Sequence, residues 1–435
     1  MLLNLQFLNP QLLNLQLLNL QFSNPQLLNL QLSNPQLLNP LGFYFAIAIM
    51  LVAIFIALIF VRVFHNYSPV SSNRFMVLDG LRGYLAIAVF IHHSSIWYFK
   101  LRDENWSAPP SNFYNNLGQG SVALFFMITA FLFFSKLLEA KNHRIDWYRL
   151  YISRILRIFP LHIFASLVII LIVFIITDFT LSESLASIIK NALKFFQFKT
   201  SNINGVDTGL IGAGVAWTLR WERSFYIALP FFAFFLSLNV SRMWFVIIGA
   251  ITISTILHDH NFFSLCFVGG IVAAFIVKHN FHLAFFKKLG FGLFAIICLI
   301  FEMNYFQSSF QPWALLLISI FFIAVIADNP LLKIFSSRAS QFLSTISYSL
   351  YLLHGIVLFI IFKFVIGFEV AKSFSPIQHW SVIAGCAIIL ILTSSLTYRF
   401  IELPFLHLAK SKNLYKPKIH WSNFINHFSF SKFHK

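Results

Sequence analysis

The sequence predicts an all-α protein, a polytopic bundle of transmembrane helices, on three grounds. Of its 435 residues 58% are apolar and only 10% charged, and the mean hydropathy is +0.78, outside the range of ordinary soluble domains. Beyond about residue 43, apolar runs approaching the roughly 20 residues a bilayer-spanning helix needs recur between short polar stretches. Lys and Arg, finally, collect in alternate connections between those runs.

Residues 1–42 stand apart. Asn recurs every five residues from Asn4 to Asn39, and Pro10, Pro25, Pro35 and Pro40 each follow one of these asparagines. A five-residue period matches neither helix nor strand and the prolines break helices, so this low-complexity segment is expected to be disordered or to reflect a wrongly assigned start. It lacks the basic n-region of a secretory signal. The candidate spans then run near 43–64, 79–99, 120–138, 158–178, 221–239, 243–257, 262–278, 289–303, 312–327, 347–367 and 379–401. Those at 243–257 and 289–303 are the shortest. Residues 405–435 form a basic tail.

Orientation follows from the loops. One side collects Arg62, Arg74, Lys141, Arg144, Arg149, Arg154, Arg157, Arg242, Lys278, Lys287, Lys288, Lys333, Arg338 and the lysines of the tail, whereas the other has Lys100, Arg102, Lys190, Lys194, Lys199, Arg220 and Lys372. The richer side, with the C-terminus, is expected in the cytoplasm. This bias accounts for the formal net charge of +17 without a nucleic-acid partner. Cys266, Cys298 and Cys386 lie in apolar runs with neither metal-ligand nor disulfide spacing.

Ionisable groups inside spans cost at least ~2.5 kcal/mol each on insertion scales and so mark candidate sites. Leu78-Asp79-Gly80-Leu81-Arg82-Gly83 is followed by His92-His93. Eleven residues is close to three helical turns, so Arg82 and His93 share a face with His93 ~16 Å further along, while His92 points about 80° away. Asp79 and Arg82 are readable as interfacial anchors, and His92 as an interhelical hydrogen bonder; His93 fits that reading less well. Glu222, in Trp217-Thr218-Leu219-Arg220-Trp221-Glu222-Arg223-Ser224-Phe225-Tyr226, is placed at a depth like that of His93 and expected to orient it, although an aromatic belt explains the tryptophans equally well. Arg154 and Arg157 share a helix face suited to phosphate, on a side where basic residues are expected in any case. Tyr351 and His354 share another face, where helix packing is the plainer explanation.

Together these motifs resemble acyltransferase family 3, the membrane proteins that include sugar and peptidoglycan O-acetyltransferases, from about Arg74 to Pro404. Arg82 and His93 resemble the family's Arg, ten residues, His signature. Arg154-Ile155-Leu156-Arg157 is similar to its Arg-x-x-Arg pair associated with acyl-coenzyme A, Trp217–Tyr226 to its Trp-Ser-Leu-x-x-Glu-x-x-Phe-Tyr element, and Tyr348–His354 to its late Tyr-x-x-Tyr-Leu-x-His element. The second-helix pattern departs from the family, with Ala123 for an acid and Thr129-Ala130 for Ser-Gly, and Thr218 stands for Ser.

The resemblance implies a ten-helix unit within 74–404, preceded by one extra helix at 43–64. It also implies an O-acyltransferase moving an acyl group, most often acetyl, from cytoplasmic acyl-CoA to a hydroxyl of an extracytoplasmic glycan or lipid-linked saccharide, in a bacterial cytoplasmic membrane. His93 is expected as base or nucleophile, Glu222 as its partner, Arg82 with Asp79 as thioester-positioning charges, and Arg154, Arg157, Tyr351 and His354 on the donor. No tightly bound cofactor or metal is expected. Direct transfer and an acyl-imidazole on His93 both stay open. A lipid-linked glycan exporter is the alternative, since intramembrane charges also mark transport pathways; it predicts matched Gly/Pro-interrupted repeats, which the sequence lacks.

Overall fold

The computed structural model describes residues 39–63, 75–140, 145–236 and 262–411, with positions 248, 252 and 254 between them. The repeat before residue 39, nearly all of the expected 243–257 span and the tail beyond Ser411 lie outside the described residues.

The described chain is helical throughout, apart from a two-residue hairpin of Asn202–Ile203 and Val206–Asp207. The main helices are α1 (Phe43–Val63), α2 (Met76–Asp103), α3 (Asn112–Glu139), α4 (Trp147–Ile176), α5 (Leu185–Leu193), α6 (Trp217–Phe235) and α7 (Leu265–Lys278). They are followed by α8 (Leu289–Tyr305), α9 (Pro312–Ile326), α10 (Arg338–Thr345), α11 (Ser347–Ile360), α12 (Pro376–Thr397) and α13 (Leu403–Lys410). Short polar residues start several of them: Ser111 caps α3, Asp146 caps α4, and Ser375 with Gln378 forms a capping box on α12. Five helical stretches among the described residues are long and apolar enough to cross a membrane: 43–63, 112–139, 147–176, 347–366 and 376–410. A sixth forms if the bent pair at 312–326 and 330–336 is one span. The protein is an integral membrane protein; these helices do not by themselves reproduce a count of ten plus one.

Helix α2 is long enough but too polar to belong to that set, and its packing explains how it is tolerated. Seventeen of its 28 residues are buried, and α1, α3, α10 and α11 all pack on it. Its glycines permit this closeness. A Cβ at Gly80 would stand 1.7 Å from the Phe335 carbonyl oxygen, and one at Gly83 2.5 Å from Leu343 Cβ. The glycines flanking Arg82 thus let a backbone lie against α2 where its charged residues begin. Helices α4 and α6 both start earlier than hydropathy suggests, at Trp147 rather than 158 and Trp217 rather than 221. The first turn of α6 packs inward, with Thr218 and Leu219 buried, whereas Tyr148 and Arg149 in the first turn of α4 are exposed.

Candidate active site

Arginines from two helices converge on one cavity of about 760 Å³, a size usual for small-molecule sites. Arg82 and Asp79 reach it from α2, Lys136 from α3, Arg149, Arg154 and Arg157 from α4, Glu222 and Tyr226 from α6, and Tyr348 and Tyr351 from α11. The C-terminal end adds Glu402 and Lys410. Asp146, on the connection before α4, also lines it, so six cations face four carboxylates.

Two of the arginines keep an unsatisfied donor. The Arg154 guanidinium lies over the Phe133 ring, 5.1 Å from its centroid. Tyr226 donates its hydroxyl hydrogen to Glu222 one turn earlier, and Arg154 bonds the same tyrosine. The Nε atoms of Arg82 and Arg154 are buried without a hydrogen-bond partner. Buried polar donors are satisfied in nearly every folded protein, so orphaned guanidinium N–H groups in a cavity suit an anionic ligand with several acceptor oxygens. Glu402 accepts from Ser349 Oγ, which also lies 2.9 Å from Thr397 Oγ1, and it is within electrostatic reach of Arg157 and Arg82. Sequence reasoning missed Glu402. The available signal was an acid, in Tyr398-Arg399-Phe400-Ile401-Glu402, directly after the last apolar run, where the backbone switches to a π-helix, a feature frequent at functional sites.

The histidines form a second, separate cluster. His93 Nδ1 lies 3.1 Å from the Val89 carbonyl oxygen and 3.1 Å from His354 Nε2. A carbonyl can only accept, so a proton on Nδ1 of His93 satisfies Val89, and in that tautomer Nε2 keeps its lone pair; which histidine donates to the other follows from the tautomer. Trp106 stacks over the His93 ring at 6.2 Å, and the ring also hydrogen-bonds the Ala213 backbone. His354 is fully buried. His92 instead bonds the Tyr114 carbonyl at 2.8 Å and packs on Gly118, joining α2 to α3.

Two expected placements are corrected by this geometry. Glu222 does not orient His93; it stands with Tyr226, Arg154 and Arg157 in the cavity. The physical reason is the segment before α6. A Cβ at Gly355 would meet Gly212 C at 2.5 Å and Ala213 N at 2.6 Å, so the chain is already folded in against α11 when α6 begins. Positive φ at Ala213 (52°) and Gly214 (65°) makes that turn. A depth reckoned from the start of the apolar run therefore puts Glu222 too far out. His354, expected beside the donor, lies with His93 and does not line the cavity.

What separates the two clusters is Tyr351. Its ring lies 6.1 Å from that of His354 and 5.9 Å from Phe125, and its hydroxyl is 2.9 Å from Thr218 Oγ1 and 3.3 Å from the Val215 carbonyl oxygen. Tyr351, Thr218 and Phe125 line the cavity, whereas His93 does not. Among the described residues no group of three or more His, Cys, Asp or Glu is arranged to hold a metal ion.

A family profile described as an acyltransferase domain matches residues 77–399. The chain belongs to acyltransferase family 3. Membership covers the cavity arginines, both clustered histidines and Glu222, but leaves α1 and Glu402 outside the matched range. No curated protein and no solved structure gave a significant match. As a member of family 3 the chain is an acyltransferase.

Proposed function

We propose that this family 3 acyltransferase takes an acyl group, most simply acetyl, from acyl-coenzyme A held in the arginine cavity and passes it to a hydroxyl of a cell-envelope glycan at His93. The hydrogen-bonded pair of His93 and His354 carries this reading. It presents a lone pair on a fixed imidazole, and a fixed base adjoining a polyanion-suited cavity is what thioester transfer to an alcohol requires.

In the reaction, His93 Nε2 accepts the proton of the acceptor hydroxyl as its oxygen bonds the thioester carbonyl carbon. Collapse of the tetrahedral intermediate breaks the C–S bond, and the imidazolium proton passes to the departing thiolate, which leaves as coenzyme A thiol. His354 holds the tautomer of His93 and Arg154 with Arg157 bind phosphate. Arg82, flanked by Asp79, reaches from the cavity toward the thioester. Glu222 and Glu402 orient the arginines and limit the charge of the unliganded cavity. Arg149 and Lys410 in the cavity lining, together with the basic loops, support a cytoplasmic donor side and a cytoplasmic C-terminus.

Transfer of label from radiolabelled acetyl-coenzyme A to the glycan fraction of expressing membranes tests the proposal. General-base loss predicts that His93→Ala lowers transfer by ~10²–10⁴-fold at equal protein abundance. Transfer unchanged by that substitution would remove His93 from the chemistry.

A further inference from the structure

The connection between α4 and α6 carries a surface that acyl transfer leaves unused. On the outward face of α4, Leu171 and Ile175 are exposed one helical turn apart, as residues facing lipid are. The row does not stop with the helix. Phe179, 67% exposed, stacks on Phe174 at 6.3 Å, and on α5 Leu185, Ile189 and Leu193 are exposed by 61%, 52% and 55% at the same four-residue spacing. Ile188 turns inward and is buried.

The polar side of α5 is complementary to a membrane surface. Lys190 and Lys194 lie about 100° and 140° around the helix from Ile189, and Lys199 follows in the same connection. The segment is firmly built. Ser184 caps α5, and Ser187 and the Gly205 N–H donate to Glu183, which holds that carboxyl below the usual carboxylate range.

We infer that α5 lies in the plane of the bilayer interface, with its Leu185, Ile189 and Leu193 edge among the upper acyl chains and its lysines at lipid phosphates. Continuity with the lipid-facing row of α4 and the lysines beside it make lipid the occupant of this edge. Anchored there, α5 fixes the start of the chain that runs on to Gly212 and Ala213 against α11.

Full-length Ile189→Cys and Lys190→Cys proteins, labelled with a thiol-reactive fluorophore, test this in vesicles of phosphatidylethanolamine and phosphatidylglycerol. Cys266, Cys298 and Cys386 are buried, and the wild type supplies the labelling blank. A nitroxide lipid labelled high on its acyl chain is expected to quench the Ile189→Cys label several-fold more than the Lys190→Cys label, with the order reversed for aqueous iodide. Iodide quenching of both labels without lipid quenching would show the edge in water and overturn the inference. Equal lipid quenching of both would overturn the in-plane placement.

Discussion

His93 and Arg82 were legible because helical geometry alone puts residues eleven apart on one stripe. The partner of His93 was not. His354 lies 261 residues away in sequence and meets it only through the packing of α2 on α11. The sequence suggested a carboxylate, which orients imidazoles in many enzymes, whereas here the partner is a second imidazole. In the proposed mechanism His354 acts through His93, so its loss belongs to the chemical step. His354→Gln is expected to lower kcat by ~10²-fold, as for impaired general-base catalysis, and to leave the KM for acyl-coenzyme A near the wild-type value. A rise in KM with kcat preserved would return His354 to the donor site. Tyr351→Phe keeps the ring between the clusters but removes its bonds to Thr218 and the Val215 carbonyl. The expected result is a higher ratio of thioester hydrolysis to glycan acylation, measured as thiol released against label transferred.

Among the elements, hydropathy located most of the described helices but misjudged where polar turns begin. Asp79, Arg82, Arg149, Arg154 and Glu222 all lie in or near first turns and all line the cavity. An apolar window leaves Arg154 outside its span because it has no knowledge of the neighbours that shield it. Close backbone approach was equally hidden, since a glycine beside an arginine does not reveal which helix will lie against it. At Gly83 the neighbour is α10, through Leu343 and Ser344. Gly83→Val is expected to destabilise the purified protein by ~1–3 kcal/mol, the usual cost of overpacking, seen as a lower thermal midpoint in detergent. An unchanged midpoint would show that α2 and α10 can separate without penalty.

For the whole molecule, the extra helix is a packed part of the bundle. Helix α1 contacts α2, α10 and α12, Trp380 donates Nε1–H to the Pro40 carbonyl at 2.9 Å, and Phe45 stacks on the same tryptophan at 5.4 Å. A chain beginning at Phe75 is expected to melt at a lower temperature than the full chain in a thermal scan. Composition revealed the membrane and the apolar run of α1 its helix; neither revealed that the cavity charges and the histidine pair form separate clusters with Tyr351 between them.

That division is the central claim, and coenzyme A binding measured beside acetyl transfer on the same membranes tests it most directly. The account predicts that His93→Ala loses transfer and keeps coenzyme A affinity, whereas Arg154→Ala/Arg157→Ala weakens binding by at least ~10-fold, as loss of charge-assisted hydrogen bonds requires. Equal loss of binding in both variants, or full affinity in the arginine double variant, would contradict it.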